Sequence, residues 1–298
     1  MPSGSNGSCT SSRGLFLCIY LLAGLRLVAA SGKYDPCTAP GPASRGNGFY
    51  MGIAYWPGGR IVDWGATLNA TTNVKGLNPC TTTNNFNNTG ISDRAYLIEQ
   101  GVVFQAFELK IDTLQSLKLN QSLTDALVAE IATEEVITAV VFRAGYRSEP
   151  RYVWSEDTGL THGSGYVPTL AINAVFERGA LANFLWNDLT CNSCSGILSP
   201  TCIVANSAVG TQHACTLLGA ICKANSTDCS FHLYVGFSGS DRWGSTFNSN
   251  FQLTRVNQYS ITSVYDKSKA AVSTLLQQGA DGVIGSTPVS DNTGGSAS

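Results

Sequence analysis

The sequence predicts a mainly β fold: an antiparallel, sandwich-like domain with a disulfide-rich segment, one short helix and a C-terminal helix. Three observations support this prediction. Only 13% of the residues are charged, whereas Gly alone occupies 31 positions, a balance more typical of secreted β proteins than of helical cytosolic ones. Alternating or β-branched runs are separated by turn residues such as Gly, Pro and Asn. Six of the ten cysteines fall in the segment from Cys191 to Cys229, both included, which indicates a segment cross-linked by disulfides.

The N-terminus indicates the compartment in which those cysteines lie. Residues 1–13 are polar and free of acid, and 14–25 form an apolar run as long as the hydrophobic region of a signal peptide. Spanning a bilayer takes about 20 apolar residues. Val28-Ala29-Ala30 supplies the small residues that signal peptidase requires, so we expect a signal peptide at residues 1–30 and a secreted, extracellular protein, in the apoplast or cell wall if the source is a plant. An uncleaved signal anchor that tethers the protein to a membrane is the alternative.

Cleavage after Ala30 removes Cys9 and Cys18 and leaves eight of the ten cysteines. An even number in an oxidising compartment predicts disulfides. The eight are Cys37, Cys80, Cys191, Cys194, Cys202, Cys215, Cys222 and Cys229. Cys37 and Cys80 lie in loose polar segments that flank the first predicted hairpin, so we expect them to pair with each other. The connectivity of the other six stays open.

The motif Cys191-Asn192-Ser193-Cys194 also fits a zinc ligand pair or a redox site. The later cysteines lack a second short spacing, however, although His213 and His232 lie nearby in the sequence. The motif neither follows a strand of a βαβ unit nor opens an apolar helix, as a thioredoxin-like site would. We therefore predict structural disulfides, with no metal and no cofactor.

The net charge argues against nucleic acid as a partner, and the sequence offers sites for N-glycosylation. Loss of Arg13 and Arg26 leaves 16 Lys and Arg against 20 Asp and Glu, a net charge of −4. No basic stripe for nucleic acid is present, and no apolar stretch of the mature chain is long enough to span a membrane. Sequons for N-glycosylation occur at Asn69, Asn87, Asn120 and Asn225.

The mature chain divides into a flexible N-terminal arm (31–48), a single β-rich domain (49–278) and a disordered tail (279–298). The first hairpin pairs residues 48–55 with 60–68 around the turn Trp56-Pro57-Gly58-Gly59, and a polar surface loop follows at 69–90. Further strands are predicted at 95–99, 102–111, 136–146, 151–155, 165–176, 179–186 and 231–237, as a meander of antiparallel strands. Helices are predicted at 122–134 and 263–278. Trp56, Trp64 and Trp154 are expected in the core or in hairpin pairs.

Several short motifs occur over roughly residues 140–266. They are Val167-Pro168-Thr169-Leu170, Phe176-Glu177-Arg178-Gly179, Leu185-Trp186, Cys191-Asn192-Ser193-Cys194-Ser195-Gly196, His213-Ala214-Cys215, Asp228-Cys229, Phe237-Ser238-Gly239 and Asn257-Gln258-Tyr259-Ser260. Through these motifs this part of the chain resembles the land-plant secreted Expp family. The resemblance implies secretion and disulfides. It implies no catalytic residue.

Enzymatic function is the weaker hypothesis. The sequence Gly236-Phe237-Ser238-Gly239-Ser240 begins like a nucleophile elbow with Ser238 in the nucleophile position, but Ser240 stands where the second Gly belongs. His162 lies in a Gly-rich loop and is the candidate general base. Loop acids such as Glu156 and Asp157, or Asp241, are candidates for the two carboxylates of a glycosidase acting on cell-wall polysaccharide. Solvated surface acids are the simpler interpretation, and no catalytic residue is assigned.

A binding function requires fewer residues. Trp243 stands beside Asp241 and Arg242 in a loop that follows a predicted strand, and an aromatic ring flanked by charged groups can stack on a sugar. We therefore predict a non-catalytic binding protein whose partner is carbohydrate or another extracellular protein, with these three residues as its contact point. The alternative is that Trp243 folds back over the sheet edge.

Overall fold

A computed structural model describes residues 35–38, 41–65, 76–82, 91–120, 125, 136–155, 165–187, 191–207, 210–217 and 231–253. The fold is mainly β, as predicted. The elements are β1 (Gly48–Pro57), α1 (Asp93–Glu99), β2 (Val103–Lys110), β3 (Gln115–Lys118), β4 (Val136–Arg143), β5 (Tyr146–Arg147), β6 (Arg151–Ser155), β7 (Gly165–Tyr166), β8 (Thr169–Glu177), β9 (Ala180–Trp186), β10 (Cys202–Ser207), β11 (Gly210–Cys215), β12 (His232–Ser240) and β13 (Thr246–Phe247). Two 3-10 turns span Ile61–Trp64 and Cys191–Cys194.

The strands form two large sheets and one small hairpin. The first sheet has the order β2-β1-β4-β6-β7, with β5 beside β4, and the second has the order β13-β12-β8-β9, with β3 on the same edge of β12 as β13. Among the described strands, β10 and β11 pair with each other and with no other strand. All these pairs are antiparallel except β8 and β12, which are parallel. The predicted antiparallel meander is therefore interrupted at this pair, because the chain must cross back through the cysteine hairpin before it can run parallel to β8.

The main core lies between the two large sheets. Alternate residues of β1 point into it, as the period of two along a strand requires, and they include Phe49, Met51 and Ile53. From the second sheet come Phe176 and Phe237, whose rings lie 5.5 and 5.7 Å from that of Phe49 at steep angles. Edge-to-face packing of this kind adds to the free energy of burying the aromatic surface. The two sheets thus pack face to face like a sandwich.

The outer face of the first sheet is also buried. Trp56 on β1 packs edge-to-face on Trp64 of the first 3-10 turn, with ring centroids 5.1 Å apart. Leu97 of α1 and Leu77 join this second cluster. The Cys37–Cys80 disulfide, which is the predicted pairing, packs against its edge. Trp56, Trp64 and Trp154 are all buried, as expected.

The predicted first hairpin is wrong. β1 pairs with β2 along one edge and with β4 along the other, so no edge is left for residues 60–68. The chain instead turns at Gly59 into the 3-10 turn, which Asp63 closes by accepting a hydrogen bond from the Arg60 N–H. Trp64 Nε1 donates to Thr138 Oγ1 at 2.8 Å, which fixes the turn against the sheet.

The predicted strand at 95–99 is wrong as well, because these residues belong to helix α1. Ser92 is its N-cap, and its Oγ accepts a hydrogen bond from the Ala95 N–H at 3.2 Å. A Ser followed by Asp93 in the first turn is a helix-start signal. The polar segment around Cys80 likewise contributes a buried residue, Leu77, whose N–H donates to the Trp64 carbonyl.

The remaining strand predictions within the described residues are confirmed. Runs at 102–111, 136–146, 151–155 and 231–237 coincide with β2, β4–β5, β6 and β12. The predicted hairpin at 165–186 is confirmed for β8–β9, whereas residues 165–166 form the separate strand β7 of the first sheet. Arg178 and Gly179 form the hairpin turn with φ of 50° and 80°, as a two-residue turn with two positive φ values requires.

Several predictions lie outside the described residues. They are the signal peptide, the helix at 263–278 and the tail, together with all of the helix at 122–134 except Asp125. Within the part of the chain that the structure describes, none of the helices has the length and apolar character needed to cross a membrane.

Candidate binding loop and cysteine cluster

The loop between β12 and β13, residues 241–245, holds the predicted contact residues. Asp241 is buried, and its Oδ1 accepts hydrogen bonds from the N–H groups of Trp243 and Ser245, both at 2.8 Å. The Asp241 N–H donates to the Ser245 carbonyl, and the Gly244 N–H donates to the Asp241 carbonyl. Hydrogen bonds to a charged acceptor are stronger than neutral ones. We call residues 241–245 the Trp243 loop. The carboxylate of Asp241 fixes the backbone of this loop.

A second carboxylate fixes the segment that follows β13. Asp112, in the turn between β2 and β3, accepts the N–H groups of Asn248 and Ser249 on Oδ1 at 2.7 and 2.9 Å. Its Oδ2 lies 2.8 Å from Nη2 of Arg45. The same guanidinium donates to the Thr246 carbonyl at 2.8 Å. Two carboxylates, about 130 residues apart in sequence, therefore hold residues 241–249.

The base of the Trp243 loop rests on the turn between β8 and β9 and on the N-terminal arm. The Gly179 N–H donates to the Ser240 carbonyl at 2.8 Å, and the Ala43 N–H donates to the Gly179 carbonyl at 2.7 Å. A Cβ added at Gly179 would lie 2.9 Å from the Arg242 nitrogen, so only Gly permits this approach. Residues 41–47 of the arm thus lie against this end of the second sheet.

Trp243 is 75% exposed. The guanidinium carbon of Arg242, which is also exposed, lies 4.4 Å from the centre of its ring, a distance that favours a cation–π contact. Trp243 therefore does not fold into the core over the sheet edge. The loop presents a large aromatic ring and a cation to solvent on a backbone that is already fixed.

The structure separates the three predicted contact residues into two roles. Trp243 and Arg242 lie on the surface, whereas Asp241 lies beneath them with its Oδ1 occupied by backbone donors. The sequence did not point to Asp112 or Arg45. No local signal links them to this loop, because their partners lie more than a hundred residues away along the chain.

The cysteine cluster lies at the crossing from β9 to β12. Its disulfides join Cys191 to Cys202 and Cys194 to Cys215, and Cys191, Cys194 and Cys202 are buried. Cys222 and Cys229 lie outside the described residues. The disulfide-rich segment that the sequence predicted is therefore present, with two connectivities resolved.

Between Cys194 and Cys202 the chain forms a second exposed loop, residues 195–201, which we call the cysteine loop. Ile197 and Leu198 are both exposed. Hydrogen bonds from Gly196 N–H to the Cys191 carbonyl and from Cys202 N–H to the Ser199 carbonyl shape the loop. Its two ends are held by the disulfides.

Of the residues considered for catalysis, the structure describes Ser238, Ser240 and Asp241. Ser238 lies inside β12 rather than at a strand-to-helix turn, and its Oγ accepts a hydrogen bond from Asn173 Nδ2 at 2.8 Å. His162, Glu156 and Asp157 lie outside the described residues. An open pocket beside β8 and β11 is lined by Trp186, His213 and Gln212, among others.

Buried charges occur under the first sheet, away from the Trp243 loop. Burial lowers the pKa of Arg147 to about 10, against the opposing effect of Glu149 and Asp93. Burial also raises the pKa of Asp93, whose Oδ2 accepts the Asn78 N–H. The hydrogen bond from Asn78 to Asp93 joins the Cys80 segment to α1.

One predicted glycosylation site lies among the described residues. Asn120 is exposed just after β3, where a glycan can project into water. Asn69, Asn87 and Asn225 lie outside the described residues.

A protein-family model with the description "Uncharacterised protein DDB_G0273449" matches residues 158–279. This range contains β7 to β13, the cysteine cluster and the Trp243 loop, and it covers less than half of the chain. The chain is similar to this family there, and the description assigns no activity. No curated protein and no solved structure matches the chain.

Proposed function

We propose that this protein is secreted and binds carbohydrate of the extracellular space without catalysis, through Trp243 and Arg242. The single observation that carries the proposal is the exposure of Trp243 on a backbone that buried carboxylates hold in place. An indole so exposed contributes little to the core. A fixed loop loses little conformational entropy when it binds a partner, so this ring is suited to recognition.

The chemistry of the loop favours a sugar as ligand. A pyranose ring presents an apolar face that stacks on an aromatic side chain and hydroxyl groups around its rim that accept hydrogen bonds. Arg242 supplies several N–H donors at the edge of Trp243. We assign Asp241 to positioning of the loop. Glycans at Asn69, Asn87, Asn120 and Asn225 and a mature chain that begins at Ser31 belong to the same proposal.

Two features support the extracellular location. The three described disulfides require an oxidising compartment to form and persist. The second feature is the resemblance to the land-plant Expp family, which implies secretion and agrees with a cell-wall ligand. We infer that residues 49–278 form one domain that follows the cleaved signal peptide and the arm, with 279–298 as a tail.

The compartment is tested by expressing the full chain in secretory cells. We expect the protein in the medium with Ser31 at its N-terminus and a loss of mass after deglycosylation. Retention of Met1 on secreted material contradicts the signal peptide. An Asn120→Gln variant provides a matched control, since it should remove one glycan and leave secretion intact.

The ligand is tested by screening the secreted protein against soluble cell-wall polysaccharides and a glycan array. We expect binding that is lost in Trp243→Ala and weakened in Arg242→Gln, with no release of reducing ends. Turnover of a polymer would favour the hydrolase hypothesis instead. Binding to an extracellular protein but to no glycan would retain the surface and overturn the carbohydrate assignment.

A further inference from the structure

A cleft at the far end of the second sheet from the Trp243 loop has the residue types of a binding site. It is open to solvent on one side and lies between β8 and β11. Its lining includes Arg151 of β6, Thr169 of β8, Trp186 of β9 and His213 of β11, and no Asp or Glu is among the described residues that line it. The length of β8, about 26 Å, separates the cleft from the end of the sheet that carries the Trp243 loop. The two are therefore separate surfaces.

Two strands that pair at one point and then part form the cleft. Tyr166 and Leu217 exchange both backbone hydrogen bonds, at 3.0 and 2.8 Å. Beyond this bridge β8 pairs with β12, and β11 pairs with β10. No backbone pair among the described residues joins β8 directly to β11. The different partners of the two strands thus open the space between them.

The β11 wall brings backbone hydrogen-bonding groups to the cleft. The Thr216 N–H donates to the Thr201 carbonyl across the hairpin, whereas the N–H and carbonyl of Leu217 point away from β10, to Tyr166. Backbone groups alternate in direction along a strand, so those of His213 also point away from β10. His213 lines the cleft. Its backbone N–H is therefore a donor on this wall.

Hydrogen bonds hold the other walls in place. Gln212 Oε1 accepts the Tyr152 N–H at 3.1 Å, and Gln212 Nε2 donates to the Tyr152 carbonyl at 3.3 Å, which ties β11 to β6. Trp186 Nε1 donates to the Glu149 carbonyl at 2.6 Å, which holds the half-buried indole ring at the mouth of the cleft. A site whose walls are already fixed loses little conformational entropy when a ligand binds.

We propose that this cleft binds a uronic acid residue of an acidic polysaccharide. Arg151 and the His213 N–H are donors suited to a carboxylate, since hydrogen bonds to a charged acceptor are the stronger ones, and no acidic side chain of the described lining repels it. The indole of Trp186 offers an apolar surface to the sugar ring. The inference rests on the proposed carbohydrate function, to which it adds a second site and a narrower class of ligand.

The test titrates the isotope-labelled secreted protein with glucuronate and follows its amide and indole resonances by NMR. We expect saturable shifts of the His213 amide and the Trp186 indole N–H, and the same shifts in Trp243→Ala. Glucose carries a CH₂OH group in place of the carboxylate and should bind at least about tenfold more weakly, as the loss of one hydrogen bond to a charged group predicts. Succinate, a carboxylate without a sugar ring, should also bind more weakly than glucuronate.

Arg151 provides the matched variants. Arg151→Gln should weaken glucuronate binding by about tenfold or more and leave glucose binding unchanged, whereas Arg151→Lys keeps the charge and should lose less. The unfolding curve of each variant is measured beside wild type. If Arg151→Gln does not fold, the ratio of glucuronate to glucose affinity in wild type decides.

The outcomes separate this inference from the proposed function. Equal affinity for glucuronate and glucose, tighter binding of succinate than of glucuronate, or no shift at His213 and Trp186 would overturn the uronic acid site. Polysaccharide binding that is lost in Trp243→Ala would still support the proposed function in each of these cases. Glucuronate shifts that disappear in Trp243→Ala would place the acidic sugar at the Trp243 loop and overturn the second site.

Discussion

The Trp243 loop and the cysteine loop both expose large apolar side chains, but different chemistry holds them. Asp241 fixes the first through hydrogen bonds from the backbone N–H groups of Trp243 and Ser245, and Asp112 fixes the segment after β13 in the same way. Disulfides hold the ends of the second. The first loop grows out of β12 in a large sheet, whereas the second joins a small hairpin. The comparison shows that a loop on a strong scaffold can be fixed without covalent bonds, whereas a segment with little sheet around it depends on cross-links.

The largest difference in stability and hydrogen exchange between the two loops should appear when a disulfide of the cysteine cluster is removed. Closing loops with sequence separations of 11 and 21 residues contributes about 3 kcal/mol each in the chain-entropy model. We expect Cys191→Ser with Cys202→Ser to lower the free energy of unfolding by about 3 kcal/mol in chemical denaturation. Hydrogen exchange should speed up in β10 and β11 and stay unchanged in the Trp243 loop. Equal loosening of both loops would show that they are not held independently.

Removal of the Asp241 carboxylate should destabilise the Trp243 loop and leave the cysteine loop unchanged. Asp241→Ala deletes two hydrogen bonds to a charged acceptor, each worth about 1.5 to 3 kcal/mol, partly offset because water can reach the freed N–H groups. We expect a loss of about 2 kcal/mol in urea denaturation and faster exchange of the Trp243 and Ser245 amides.

Asp241→Asn is the matched control for that variant, since it retains an oxygen acceptor at the same position. It should recover more than half of the lost stability. If the Asn variant is as unstable as the Ala variant, the negative charge rather than the hydrogen-bond geometry holds the loop.

Substitutions at Asp112 and Arg45 test how the segment after β13 is held. Asp112→Ala should cost about 1 to 2 kcal/mol, because two backbone N–H groups lose their acceptor. Arg45→Met should cost less than about 1 kcal/mol, since the Arg45 side chain is 58% exposed and exposed ion pairs contribute little. A larger loss for Arg45→Met than for Asp112→Ala would place the main anchor in the N-terminal arm.

The smallest effect is expected at the tip of the cysteine loop. Ile197→Ser with Leu198→Ser should change the free energy of unfolding by less than about 0.5 kcal/mol, because both side chains are exposed and such substitutions are nearly neutral. Carbohydrate binding should also stay unchanged. Loss of binding in this variant would move the contact surface from the Trp243 loop to the cysteine loop.

The strands and turns that could be predicted from the sequence are those whose signal lies within a few neighbouring residues. The β-branched run of β4, the positive-φ turn at Arg178 and Gly179, and the alternation in β12 are all visible over a few residues. The first hairpin failed for the opposite reason. β1 looked like one arm of a hairpin, yet both of its edges pair with distant strands, and strand pairing is set by tertiary packing rather than by the turn that follows.

Some residues of the candidate site could likewise be predicted from local sequence, whereas others depend on contacts between distant parts of the chain. The combination of Trp243 with Arg242 in a short loop after a strand is a local signal, and the structure places both residues on the surface. The role of Asp241 depends on whether its side chain points out or under the loop, and the anchoring by Asp112 and Arg45 requires contacts across more than a hundred residues. Sequence alone does not contain these distances.

The Trp243→Ala variant tests whether Trp243 serves recognition rather than packing. Its unfolding curve and its affinity for the polysaccharide that wild type binds should be measured on the same secreted material, with the buried Trp154→Ala as a control that should lose about 3 to 5 kcal/mol. We expect Trp243→Ala to be secreted, to keep a free energy of unfolding within about 0.5 kcal/mol of wild type and to lose binding. Failed secretion, a loss of about 3 kcal/mol, or unchanged binding would contradict this expectation.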